Sequence, residues 1–239
     1  MKVTFRCDPA LEAHLPRPVP ARERLPDWLR AMPPAAFSGF HGQEIRTVKQ
    51  CPPFVDAMMA GFLIPLPCDL RVEAGRFAWD WDLPEPSLPG HPRSPLSFHV
   101  AAQLAQSPLQ AGERPAIKFN SFWTIELEPG WALLALHPLN RLDLPFRTLA
   151  GLVDADRFNE VGIFFPALWT EPGFAGLLPR GTPVVQCVPV RREPVELAFG
   201  TIAGERAQAF ARLSQEILSE PGIYRRRYRA RRSGEQDRD

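Results

Sequence analysis

The chain has 239 residues, 45% of them apolar, and 28 Lys or Arg against 27 Asp or Glu for a net charge of +1. One core-bearing domain is the natural expectation at this length, and the charge balance excludes an overall field that would select nucleic acid or acidic partners. The 28 prolines follow no period, which excludes collagen, and they punctuate apolar runs, so they read as strand ends and rigid loops.

The four cysteines, Cys7, Cys51, Cys68 and Cys187, form no C-x-x-C pair, so zinc and thioredoxin patterns are missing. The first residues lack the apolar core of a signal peptide, and no apolar run is long enough to span a bilayer. The expectation is a cytoplasmic protein with reduced thiols and no membrane partner.

In chain order, residues 2–6 (KVTFR) read as a short strand, followed by a Pro-rich arm through Pro20. LPDWLRAMPP (25–34) predicts one or two helical turns, with Asp27 as cap, Pro33 and Pro34 as stop, and Trp28 pinning the arm to the body. IRTVKQC (45–51) reads as strand or turn. PPFVDAMMAGF (52–62) reads as a short helix with prolines in its first turn and Gly61 as its stop. FLIPLPCDLRVEA (62–74) is a strand whose end pairs with RFAWDWDL (76–83) through a turn at Ala74-Gly75. On the second strand Phe77, Trp79 and Trp81 share one face, either core or a stacking platform for a base or sugar. Asp80 and Asp82 share the other.

Residues 84–98 form a Pro-rich loop. The segment 98–109 would, as a helix, put His99 and Gln103 on one face. From Ile117 the short apolar runs separated by turns predict strands: 117–126, then a Pro129-Gly130 turn, WALLALHP (131–138) buried on both faces, TLAGLVDAD (148–156) ending in two acids, VGIFFPALW (161–169), and RGTPVVQCVPVRRE (180–193). ERAQAFARLSQEIL (205–218) changes period and places Ala209, Phe210, Leu213 and Ile217 on one face of an amphipathic helix. The organisation expected is one mainly-β domain over 1–222 and a basic tail over 223–239. The tail interleaves Arg225, Arg226, Arg227, Arg229, Arg231 and Arg232 with Tyr224 and Tyr228. Arginines on a flexible segment can bind phosphates while tyrosines stack on bases; the alternatives are a solvated tail or one docked on an acidic patch.

The core stretch resembles the dUTPase and dCTP-deaminase family. The Pro129-Gly130 turn, HPLNRL (137–142), G-L-V-D from Gly151 to Asp154 and G-T-P-V-V-Q-C from Gly181 to Cys187 carry the likeness, which covers roughly residues 115–195. It implies a β-clip barrel, commonly trimeric, with nucleotide sites between subunits, to which the residue patterns add short N-terminal helices and one C-terminal amphipathic helix. It implies a water-orienting role for Asp154, with Asp156 beside it, and Phe158 under a sugar. Asn140 and Arg141 would stand at the phosphates, and Gln186 on the ligand. An Asp at a strand end can polarise a water for attack on phosphorus, and a basic group neutralises the phosphates. The family's Ser-Arg motif is here Leu139-Asn140-Arg141, Pro183 replaces its Arg, and its Gly-rich lid has no counterpart after residue 198. A second resemblance, over about 25–195, is to an uncharacterised family of tailed-phage and bacterial genomes; it assigns no catalytic residue.

The reading is therefore a small-molecule or nucleotide-binding protein, hydrolytic through Asp154 and Asp156, with His137, Asn140, Arg141, Phe158 and Gln186 on the ligand. Two alternatives stand beside it. One is a non-enzymatic, phage-related assembly protein that uses the Arg tail as a contact. The other is a divalent-metal enzyme, for which His99, His137, Asp80 and Asp82 lead a wider set with His41, His91, Asp154 and Asp156. Cys51 as a nucleophile needs a base that sequence does not place.

Overall fold

The structure, a computed structural model, describes residues 1–109 and 116–230. The first half of the chain forms β1 (Thr4–Arg6), β2 (Val19–Pro20), α1 (Asp27–Ala31), β3 (Ala35–Ser38), β4 (Gln43–Arg46) and α2 (Pro52–Met58). Next come β5 (Phe62–Pro65), β6 (Leu70–Glu73), β7 (Arg76–Ala78) and β8 (Leu96–Phe98). The second half adds β9 (Ala116–Asn120), β10 (Thr124–Glu126), β11 (Trp131–Leu136), β12 (Phe146–Thr148), β13 (Gly151–Val153) and β14 (Phe164–Trp169). It closes with β15 (Gly176–Leu178), β16 (Pro183–Arg191) and α3 (Glu205–Ser219). The fold is mainly β and every strand pair is antiparallel.

The central sheet has the order β13-β11-β16-β5-β2, and a second sheet the order β12-β14-β9-β8. Smaller sheets are β15-β6-β7, β1-β10 and the hairpin β3-β4. The sheets do not close into a barrel. β16 is the longest strand and pairs with β11 from Trp131↔Arg191 to Leu136↔Gln186. Its other side pairs with β5 only through Cys187. Pro189, which lacks an N–H, therefore sits past the end of β5, where no ladder bond is lost.

The core lies between the sheets. Leu66, Ile117, Phe119, Leu133, Phe165 and Trp169 are all but fully buried there, and Phe119 and Phe146 meet edge to face at 4.8 Å. A second cluster of Leu11, Leu15, Leu83, Phe122 and Trp123 holds down the N-terminal arm, and the Trp123 indole N–H donates to Pro16 O at 3.1 Å. The arm is thus pinned by leucines, and Trp28 stays 37% exposed while Leu29 is buried. Asp27 is the first residue of α1, not its cap.

Several runs that read as one strand are two strands in different sheets: 117–126 divides into β9 and β10, 62–74 into β5 and β6, and 148–156 belongs only in part to β12 and β13. β11 is mixed in burial, with Trp131, Leu134 and Leu136 only half-buried. The Ala74-Gly75 turn joins β6 to β7 with both residues in the left-handed region. β7 ends at Ala78; Phe77 and Trp79 pack on the main core and Trp81 on the second cluster. Residues Ala101–Leu104 form one 3-10 turn in place of a helix. Gly61 follows α2 at φ 66, and a Cβ there would collide with the Cys187 carbonyl, so only glycine lets the helix turn onto β16.

α3 forms over the expected residues, yet none of it is buried, so its apolar face does not pack on the body. The basic segment does not hang free either: Ile223 is buried and Tyr224–Tyr228 make one wide helical turn. Arg231 and Arg232 lie outside the described residues. All four cysteines are free. Among the described residues no helix is long and apolar enough to cross a membrane.

Candidate functional site

The expected site residues fall into two groups at opposite ends of β11. At its C-terminal end the strand delivers His137 into the loop Pro138–Asp143, where Asn140 takes φ 59. Gln186, on the neighbouring position of β16, is 1% exposed. Its Oε1 accepts the Leu139 N–H at 2.9 Å, and its Nε2 donates to Ala57 O at 2.9 Å and Ala60 O at 2.7 Å. The amide is spent on tying the loop, β16 and α2 together.

His137 is spent as well. Arg141 O lies 2.7 Å from Nε2, and a carbonyl only accepts, so Nε2 carries the proton. Nδ1 then accepts the Thr148 N–H at 3.2 Å. Burial, with the nearby Arg147 and Arg141 charges, holds the imidazole below its ordinary pKa against the bond to Arg141 O. The ring is neutral with its lone pair engaged, so it has no free base. Arg141 grips Asp143 through Nε at 2.9 Å and Nη2 at 2.8 Å. Burial opposes ionisation of Asp143, and the Arg141 guanidinium outweighs it, keeping the carboxyl below its ordinary value.

Above this loop opens a cavity of about 670 Å³. Trp28, Val48, Phe54 and Leu142 give it apolar walls, and Asn140, Asp143 and Arg147 bring polar groups to it. The Trp28 side chain also hydrogen-bonds Asp143. Arg147 is exposed and forms no ion pair among the described residues. Like the wall residues Trp28, Val48, Phe54, Leu142 and Asp143, it carries no signal of a cavity in the sequence: nothing in PFRTL marks an arginine that a strand aims at one.

At the N-terminal end of β11 lies the acidic pair. Asp154 Oδ1 accepts from Arg192 Nη1 at 2.7 Å, and Asp156 Oδ2 accepts from Arg192 Nη2 and, at 2.9 Å, from the Gly130 N–H. The Arg192 N–H returns to Gly130 O at 3.0 Å. The Gly130 bond, then Arg192, hold Asp156 below its ordinary pKa against burial. The pair is an anchor for the chain leaving β16. Phe158 sits beside it, its N–H donating to Asp154 O at 2.8 Å, with its ring half exposed. At about 3.3 Å per strand residue, roughly 20 Å separates this group from His137, so within one chain Asp154, Asp156 and Phe158 do not join His137, Asn140, Arg141 and Gln186.

The metal reading loses its geometry. Asp80 pairs with Arg71 at 3.0 Å. Asp82 lies near Cys68, whose thiol is pushed up to about 11 by burial and then by Asp82. His99 meets Gln103 Oε1 at 3.1 Å, and His137 is engaged as described. Among the described residues no three His, Cys, Asp or Glu side chains come together to hold a metal. Of the tail arginines, Arg229 clasps Asp56 of α2 at 2.9 and 2.8 Å. Arg226 pairs with Glu220 and Arg227 with Glu216, while Arg225 lines a small cavity of about 200 Å³.

A second sizeable cavity, about 650 Å³, opens near β1 and β10 and is lined by Arg6, Cys7, His91, Thr124 and Glu160 among others. Its lining comes from four separate segments, which is why no sequence pattern announces it. Comparison of the chain with protein-family models and with curated proteins gives no match.

Proposed function

We propose that the protein binds a small planar anion of the nucleotide class in the cavity above the His137–Asp143 loop. The observation that carries this is Arg147, a cation without an ion pair among the described residues, beside an apolar cavity of about 670 Å³ that Trp28 lines. Such a site gives a ring an apolar and aromatic surface and a phosphate a countercharge. His137 and Gln186 serve it indirectly, by holding the loop. Hydrolysis through Asp154 is not carried forward, because both acids are engaged with Arg192 at the far end of β11. The β-clip reading of the fold belongs to the same proposal; its support is the order Pro-Gly turn, β11, loop, β12, β13, β14, β15, β16 in short antiparallel sheets.

The test is thermal denaturation with a panel of pyrimidine and purine nucleotides. A ligand at about 100 times its Kd adds roughly 2.7 kcal/mol, a rise of a few degrees at this size. Arg147→Ala should abolish that rise without lowering the unliganded midpoint, since Arg147 is exposed and has no ion pair among the described residues. No rise with any nucleotide, or a rise that Arg147→Ala leaves intact, refutes the proposal.

A further inference from the structure

Between Arg192 and Ile223 none of the thirty residues is buried. This arm is nonetheless anchored at both ends. Arg192 is held by Asp154 and Asp156, and at the return Ile223 is buried and Arg229 clasps Asp56. Its extended part exposes Val195, Leu197, Phe199 and Ile202, and α3 exposes Phe210, Ile217 and Leu218. Phe199 is 94% exposed and Leu218 86%. At roughly 100 Å² of open apolar surface each, these seven side chains present on the order of 700 Å². The largest apolar patch of a typical monomer is about 300–600 Å², whereas one side of a stable interface is about 800 Å². Ordering thirty residues costs about 1–2 kcal/mol each in backbone entropy, and burial within the chain offsets little of it here, since only Leu213, Ser214, Glu216, Glu220 and Gly222 are even half-buried.

A second element is equally uncovered. The hairpin of β3 and β4 has no buried residue, and it displays Phe37, Phe40 and Ile45 to solvent. It stands beside the foot of the arm, where Gly222 lies against the Arg46 guanidinium. The arm carries five Glu against two Arg over 193–222, a net −3, and the stretch 35–50 carries Arg46 and Lys49 against Glu44, a net +1.

We infer that the arm is an interface with a second copy of this chain, in which the arm of each protomer lies along the β3–β4 hairpin of the other. A twofold operation repeats every such contact in reverse, so one seating covers both uncovered elements of both copies. Their combined apolar surface clears what one side of a stable dimer needs, and the acidic arm would meet Arg46 at the end of the hairpin and Lys49 just beyond it. An unrelated partner would have to match the arm and the hairpin at once.

The experiment is sedimentation velocity on the full chain across the micromolar range. A closed oligomer is expected, and the double variant Phe199→Glu/Leu218→Glu should sediment as the 26.8 kDa monomer with an unchanged circular-dichroism spectrum. Phe40→Glu on the hairpin should give the same loss. Wild type that stays monomeric throughout, or a double variant that keeps the oligomer, overturns the inference. A Phe40→Glu protein that associates like wild type overturns the seating on the hairpin. A measurement independent of variant folding is photo-crosslinking from a benzophenone-bearing phenylalanine analogue at position 199. A covalent dimer joined through residues 35–46 supports the exchange, and monomer alone refutes it.

Discussion

At Gln186 one buried amide joins segments more than a hundred residues apart. Gln186→Leu keeps the volume but strands the Leu139 N–H and the Ala60 carbonyl, and leaves the Ala57 carbonyl to the Ala60 N–H at 3.3 Å. Leaving a buried polar group unpaired costs about 1–3 kcal/mol. We expect a loss of about 3 kcal/mol in total, read as a lower urea midpoint with an unchanged slope. A midpoint within experimental scatter of wild type would mean that water replaces the amide. Gln186 was picked out in sequence as a ligand contact, and His137 likewise. Residue type was legible there, but satisfaction was not: whether a Gln or His has spare hydrogen-bonding capacity depends on backbone groups such as Thr148 N–H and Ala57 O, which no local pattern places. Arg147 shows the converse, an unremarkable residue type made notable by its place at the cavity without an ion pair among the described residues.

At the scale of elements, the prolines opening α2, the Ala74-Gly75 turn and the span of α3 were all readable, because each rests on local chemistry. Strand ends that change sheets were not. Periodicity sees the apolar run of 117–126 but not the break at Ser121, whose hydroxyl donates to Trp123 O at 2.6 Å and whose carbonyl crowds Gly162. The β3–β4 hairpin was missed because its strands bury nothing and so lack alternation. The tail divides at an element boundary too. Arg229 and Asp56 have side chains only 15% and 8% exposed, so Arg229→Ala leaves a carboxylate buried without its main partner. Breaking such a pair costs about 3–5 kcal/mol. Arg225→Ala, at an exposed position, should stay within about 0.5 kcal/mol of wild type. Thermal denaturation of the two variants separates a docked segment from a dispensable one: equal midpoints would show that 223–229 adds nothing to the fold.

For the molecule as a whole, the shifted acid-side groups act in one direction. Burial alone would raise the pKa of Asp8. Hydrogen bonds from the Leu88 N–H at 2.6 Å, the Ser87 hydroxyl at 2.8 Å and the Ala10 N–H at 2.9 Å outweigh it and bring it from 3.8 to about 2. Asp143 and Asp156 are lowered as well, and so is His137, from 6.5. A group whose pKa is depressed by folding binds protons more readily when unfolded. Its stabilisation is therefore complete above the unfolded value and is lost as pH falls through the folded one. His137 should begin to weaken the fold as pH drops below 6.5, and the three carboxylates should add a steeper loss below 3.8, the part due to Asp8 running down to about 2. Melting temperatures should be level from 6.5 up to the ordinary thiol value of 9.0, above which the raised Cys68 thiol begins to count, and should descend in those two stages below 6.5. Asp8→Asn isolates the second stage. It removes an acceptor that faces the Leu88 N–H, so the variant should melt below wild type at neutral pH. The two curves should then converge as pH nears 2, where Asp8 of the wild type is itself protonated. A gap that stays constant across the whole range would show that the substitution harms packing alone and that the Asp8 charge contributes nothing to the stability of the fold.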